Sequence, residues 1–202
     1  MNERLKTRKP KSITRADVLD QATFAQVRVE RRSQIIALKN GRRVAVGPFV
    51  TFHFESYDTM WWQIHEMLRV EKGGEAQIAD ELEAYNPLIP QGRELVATMM
   101  IEIENPDRRK HELARLGGIE DAITLRVGGI SIAAQPEQDV ERTTEQGKTS
   151  ALHFLRFRFT PEAIANFRDP AEVVVLSIDH PNYGHQAQID PATRANLSED
   201  FD

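Results

Sequence analysis

Two alternating strand patterns joined by two helical ones constrain this chain more than any other feature. They occupy Val50 to Glu104, VTFHFESYDTMWWQIHEMLRVEKGGEAQIADELEAYNPLIPQGRELVATMMIEIE. Phe49 to Glu55 predicts a strand, because Phe52 and Phe54 alternate with Thr51, His53 and Glu55. Met60, Trp61, Ile64, Met67 and Leu68 recur at helical spacing and predict a helix capped by Asp58 or Thr59 and running to about Glu71. Gly73-Gly74 stops it, and Glu75 to Tyr85 predicts another helix with Ile78, Leu82 and Tyr85 on its stripe. Asn86-Pro87-Leu88-Ile89-Pro90 must turn, since two prolines cannot sit inside a helix or a central strand. Glu94 to Glu104 is the second strand. Leu95, Ala97, Met99, Ile101 and Ile103 form its apolar face, and Val96, Thr98, Met100, Glu102 and Glu104 the other.

The flanking segments extend the pattern. Thr14 to Asp17 resembles a capping box before a short turn. Asp20 then caps a helix from about Gln21 to Lys39, with Phe24, Val27, Ile35 and Leu38 on one stripe, ended by Asn40-Gly41. Val44 to Val46 reads as a short strand, and Asp107 to about Leu116 as a helix. Gly128-Gly129 joins Ala122–Val127 to Ile130–Ala134 in a tight hairpin. Pro136 to Lys148 is polar and aperiodic and reads as a mobile loop. Thr149 to Phe159 predicts a long strand, Thr160 to Phe167 a capped helix, and Val173 to Ile178 a central strand. His185 to Ile189 predicts the last strand, and Asp190-Pro191 opens a final helix before an acidic, frayed end. Helices and strands come without strict βαβ alternation, so the expected class is α+β with a largely antiparallel sheet and flanking helices.

A chain of 202 residues suits one domain, expected over residues 13–202, and can bury a core without disulfide or metal staples. It contains no cysteine, which excludes disulfides, thiolate metal sites, an iron–sulfur cluster held by this chain and cysteine catalysis. That composition suits a reducing compartment, and the cytoplasm is the expected location. No apolar run reaches the length of a membrane span. The net charge of −5 argues against a general nucleic-acid binder. The exception is a basic tail over residues 1–12, with Arg4, Lys6, Arg8, Lys9 and Lys11, expected to be flexible and solvated.

Candidate chemistry concentrates in the central stretch. If the two strands are neighbours, His53, Glu55, Glu102 and Glu104 converge on one face, a ligand set suited to iron, manganese or zinc. The plainer reading is the solvated side of a half-buried sheet. Glu71 and Glu75 project onto their helix stripes, and with Glu66 they are candidates for a base or a group supporting a metal ligand. For Glu71 and Glu75 the plainer reading is a helix end reaching solvent beside Gly73-Gly74. Trp62 lies opposite the stripe with Glu66 and Arg69, which makes Trp62 and Arg69 interface candidates if they are exposed; a covering layer would bury them instead. His65-Glu66 is followed by Arg69 where a zinc-protease helix needs a second histidine. His153 reads as a core histidine. Asp179, His180, Tyr183 and His185 surround a turn whose chemistry explains them as well as a site would. No nucleotide-binding loop, nucleophile elbow or Glu-x-x-His pair occurs, and no catalytic residue is assigned.

Several segments together, ITRADVLD, RRVAVGP, TFHFESYDTMWWQIHEMLR, GGEAQIADELEAYNPLIP, GRELVATMMIEIENPDRR, LGGIED and VERTTEQGKTSALHFLRF, resemble a bacterial family known as domain of unknown function 3501. The resemblance runs from about Ile13 to Phe201. It carries no established activity or catalytic residues. Members are often encoded beside rubrerythrin-like proteins and iron–sulfur oxidoreductases, which implies a role in redox or peroxide-stress chemistry. Two expectations follow. One is a binding or accessory subunit that docks on such redox partners, with room for an oligomer. The other is a metal-dependent enzyme or metal-binding protein using the His/Glu set.

Overall fold

Caps written in the sequence fix where the helices begin. In the computed structural model, which describes residues 11–137 and 148–202, Asp20 accepts from the Ala22 and Thr23 amides and opens α1 (Gln21–Asn40). Asn105, Thr160 and Asp190 do the same for α4 (Pro106–Arg115), α5 (Pro161–Arg168) and α6 (Pro191–Ser198), each with proline in the first turn. The central helix α2 (Tyr57–Glu71) starts earlier than Asp58 or Thr59. Ser56 accepts from the Thr59 amide, and Thr59 Oγ1 in turn accepts from the Ser56 amide. Lys72, not a glycine, takes the left-handed conformation that ends α2, and Gly74 precedes α3 (Glu75–Tyr85).

The strands β1 (Arg43–Val46), β2 (Val50–Phe54), β3 (Glu94–Ile101), β4 (Ile123–Val127), β5 (Ile130–Ala133), β6 (Gln135–Pro136), β7 (Leu152–Arg158), β8 (Val174–His180) and β9 (Tyr183–Gln188) form two antiparallel sheets. Their orders are β1-β2-β3-β7-β6 and β5-β4-β8-β9. The α+β class with antiparallel pairing holds, and the sheet divides in two. β8 is interior, as its β-branched sequence predicts. The glycines at 128 and 129 take positive φ and close the β4–β5 hairpin.

One core joins the inward faces of both sheets. Phe52 and Phe54 of β2 and Leu95, Ala97 and Met99 of β3 belong to the same buried cluster as Leu125 of β4 and Leu176 of β8. Phe159, Phe167 and Phe201 pack ring against ring within it. The even face of β3 is covered too. Val96 joins Met60, Ile64 and Leu68 of α2, Ile78 of α3, and Leu88 and Ile89 of the turn. That explains why β3 is buried on both faces along nearly its whole length. The outermost layer is α1, laid on α2 through Phe24, Ile35 and Trp62.

The C-terminal end is not frayed. Phe201 is buried, and Asp200 pairs with the fully buried Arg42. Arg42 also donates to the carbonyls of Phe54, Glu55 and Asn196, which ties the end of β2 to α6. Lys11, assigned to a flexible tail, bonds Asp202 at 2.9 Å and the Gln91 carbonyl. Arg4, Lys6, Arg8 and Lys9 lie outside the described residues. So do residues 138–147, most of the segment expected to be a mobile loop, whose first residue, Pro136, instead pairs with β7. No helix among the described residues is long and apolar enough to cross a membrane.

Candidate functional site

Strand pairing builds the candidate site from the middle of the first sheet. β2 and β3 are neighbours, with His53 opposite Thr98 and Thr51 opposite Met100. The Glu55 amide continues the ladder to Val96, and the Glu102 amide continues it to Phe49. Alternation therefore puts Thr51, His53 and Glu55 on the face turned away from the inter-sheet core. Glu102 joins them, two residues beyond Met100.

The carboxylates on this face are occupied by hydroxyl groups. Glu55, only 6% exposed, accepts from Thr98 Oγ1 at 2.7 Å and from Thr59 Oγ1 at 2.6 Å. Glu102 accepts from Thr51 Oγ1 at 2.6 Å, with Arg43 Nη2 at 3.5 Å. His53 lies between them. Burial pulls its pKa below the ordinary value, Glu102 and Glu55 oppose that, and Arg43 and Lys39 add to it. Its Nε2 is shielded from solvent and has no hydrogen-bond partner among the described residues. Glu104 lies beyond the strand. With Glu102, Phe49 and Arg108 it lines a shallow groove of about 400 Å³. Among the described residues, no three His, Asp or Glu side chains are grouped to hold a metal ion. His53, Glu55 and Glu102 are thus brought onto one face, but the oxygens of Glu55 and Glu102 serve the fold's own donors.

The other carboxylates also have protein partners. Glu66 receives Arg28 and Arg69, and these guanidiniums hold its carboxyl down to about 2. Glu71 accepts from Gln77 Nε2 at 2.7 Å and is exposed. Glu75 is exposed and paired with Arg15, as expected for a helix end reaching solvent. Trp62 is 8% exposed beneath α1. Its interface is therefore internal, and it leaves Arg69 at the rim of the α1–α2 seam. Trp62 was legible as a facing residue; what it faces is the chain's own first helix.

The histidines follow the same rule. His65 Nδ1 donates to the Trp61 carbonyl at 2.7 Å, and Nε2 accepts the Leu19 amide at 2.9 Å. Trp61 and Phe24 cover its ring, with centroids 3.9 Å and 4.8 Å away. His153 is fully buried and reaches Thr149 Oγ1 and the Ser150 carbonyl, so it is the core histidine expected. Tyr183 donates to the Val46 carbonyl at 2.8 Å and accepts from the Phe49 amide, clamping the β1–β2 turn onto β9. His180 bonds the Gly117 carbonyl, and His185 and Asp179 are exposed. This turn is stitched together by structural bonds.

The surface that sequence reasoning passed over is the outside of α1. Val29 is 77% exposed and Ile36 46% exposed, seven residues apart on a helix already apolar on its inner side. The signal was present in the sequence as apolar residues on both faces, but a search for one stripe discards the second.

The comparisons agree with this architecture. A crystal structure of a protein of unknown function from Burkholderia pseudomallei K96243 is similar at 40% identity, with a TM-score of 0.87. The match covers 95% of this chain and 100% of that one. No curated protein matches. Residues 12–201 match the family described as "Protein of unknown function (DUF3501)", and the chain belongs to that family.

Proposed function

We propose that this protein is a cytoplasmic binding or accessory subunit that works with rubrerythrin-like or iron–sulfur redox proteins. The observation that supports the reading is the layering of α1. Its inner stripe is consumed by α2, yet its outer side presents Val29 and Ile36 to solvent. Exposed apolar residues at helical spacing, on a helix whose other side is packed against α2, suit a docking surface. The internal pairing of Glu55, Glu66 and Glu75 fits the same reading, since these carboxylates hold the fold. Sedimentation velocity of the purified chain mixed with each redox protein tests it. A stoichiometric complex with at least one of them supports the role; independent sedimentation with all of them rejects it.

A second reading, a metal-binding protein, has one observation in its favour: the Nε2 of His53, shielded between Glu55 and Glu102 and without a hydrogen-bond partner among the described residues. Elemental analysis of protein purified without chelator or affinity tag decides it. A stoichiometric transition metal that disappears in His53→Ala supports this reading, and metal-free protein rejects it.

A further inference from the structure

We infer that the outer face of α1 seats a helix of a different protein, apolar along its contact stripe and acidic along one edge. The inference rests on the accessory reading and names the chemistry of the partner surface. At about 100° per residue, Ala22, Ala25, Val29, Ser33, Ile36 and Asn40 fall within roughly 40° of one line along α1. All six are exposed. Phe24, Val27, Ile35 and Leu38 fall on the opposite half, where they pack on Trp61 and Trp62. The helix is therefore apolar on two sides, and only one is covered.

Ala22, Val29 and Ile36 repeat every seven residues, the spacing that keeps a second helix in contact along a seam. The small residues of the stripe, Ala22, Ala25 and Ser33, allow close approach. Charge then selects the occupant. On the same angular scale Arg28, Arg32 and Lys39 share one flank of the stripe. Glu66 holds Arg28 in place, and Arg69 adds a further guanidinium beside it. The other flank carries Glu30, Gln26 and Gln34, so it holds one charge.

A second copy paired antiparallel sets the flank of Arg28, Arg32, Lys39 and the neighbouring Arg69 against its twin; Glu66 offsets one of these charges and Glu30 lies on the far flank, so cation meets cation. Antiparallel pairing that sets Val29 against Ile36 also brings the two Arg32 guanidiniums together. A helix with Asp or Glu along the edge facing Arg28, Arg32 and Lys39 meets the opposite situation. Its apolar residues cover Val29 and Ile36 while its carboxylates neutralise the flank.

Two labelled synthetic helical peptides test this, identical in their Leu/Ala stripe but carrying Glu or Lys on the flanks. Fluorescence anisotropy against the full chain should show binding of the Glu peptide at least about tenfold tighter than of the Lys peptide. Val29→Asp/Ile36→Asp should lose that binding, and Arg32→Glu should reduce the preference. These exposed positions leave the fold intact, which circular dichroism checks. Equal binding of both peptides, unchanged binding by the double variant, or a dimer of the free chain that buries α1 would overturn the inference. The redox proteins separate the two claims. If they bind the double variant as well as the native chain, α1 is not the seat and the accessory role stands. If they bind neither while the peptide preference holds, the accessory role falls and the α1 surface remains.

Discussion

Both ring nitrogens of His65 are engaged, and that makes its charge state part of the fold. Its Nε2 accepts the Leu19 amide and so must be unprotonated, while Nδ1–H donates to Trp61. Burial between Phe24 and Trp61 pulls the pKa below 6.5, against the smaller effect of the Trp61 carbonyl. As pH falls, the unfolded chain takes up this proton before the folded one. The stability from His65 is therefore whole above about pH 6.5 and is lost as pH falls through the depressed folded value. Urea midpoints measured between about pH 8 and 5 should fall on acidification. His65→Phe should lower stability at neutral pH by about 1–3 kcal/mol, because the Leu19 amide loses its acceptor. The same variant should show a shallower pH slope, not a flat one, since His53 has a pKa lowered by burial as well. His53 contributes differently. Its Nε2 is shielded and bonded to nothing among the described residues, so His53→Leu should leave the melting temperature unchanged or raised. A fall in melting temperature would mean that the nitrogen has a partner.

At the scale of elements, α1 is attached through few large contacts. Phe24 meets Trp61, Trp62 and His65, and Arg28 meets Glu66. Phe24→Ala should cost about 3–5 kcal/mol if the layer stays docked. If α1 detaches instead, its amides should lose hydrogen-exchange protection while those of β3 and β7 keep theirs. The end of α2 offers a change of the opposite sign. Lys72 has φ +56°, a conformation that costs an L-residue side chain energy and glycine almost none. Lys72→Gly should raise stability by up to about 1 kcal/mol, read from the urea midpoint. Much at this scale was legible beforehand. The caps of α1, α5 and α6 and the span of α3 follow from side chains within a few residues of each terminus. The start of α2 was misjudged because Ser56, Asp58 and Thr59 are all competent caps, and geometry chose Ser56 for the cap and Thr59 for its return bond.

The whole molecule is closed by a buried ion pair between distant parts of the chain. Arg42 follows α1, Asp200 follows α6, and both side chains are almost wholly excluded from solvent. Removing one member takes the paired opposite charge away from a buried group, so Arg42→Ala or Asp200→Ala should destabilise by about 3–5 kcal/mol. Replacing both by apolar residues should cost less than the two single changes added together, and a double-mutant cycle in urea measures the difference. This closure was illegible because nothing local distinguishes Arg42 from Arg43. Arg43 lies on an exposed strand position, whereas Arg42 turns inward to three carbonyls and a carboxylate.

The sequence by itself determined most of the strands and helices and the residues that share each face, because caps, glycine breaks and two- or 3.6-residue periods act over a few residues. It also placed His53, Glu55 and Glu102 on one face once β2 and β3 were taken as neighbours. Tertiary structure alone decided that the strands divide into two sheets, since alternation does not say which strands pair. It decided that Glu55 serves Thr59 and Thr98, an arrangement that needs β3 beside β2 and α2 above both. The inner side of α1 was legible as the stripe of Phe24, Val27, Ile35 and Leu38; tertiary structure decided what that stripe meets, Trp61, Trp62 and His65, and that Val29 and Ile36 on the other side stay in solvent.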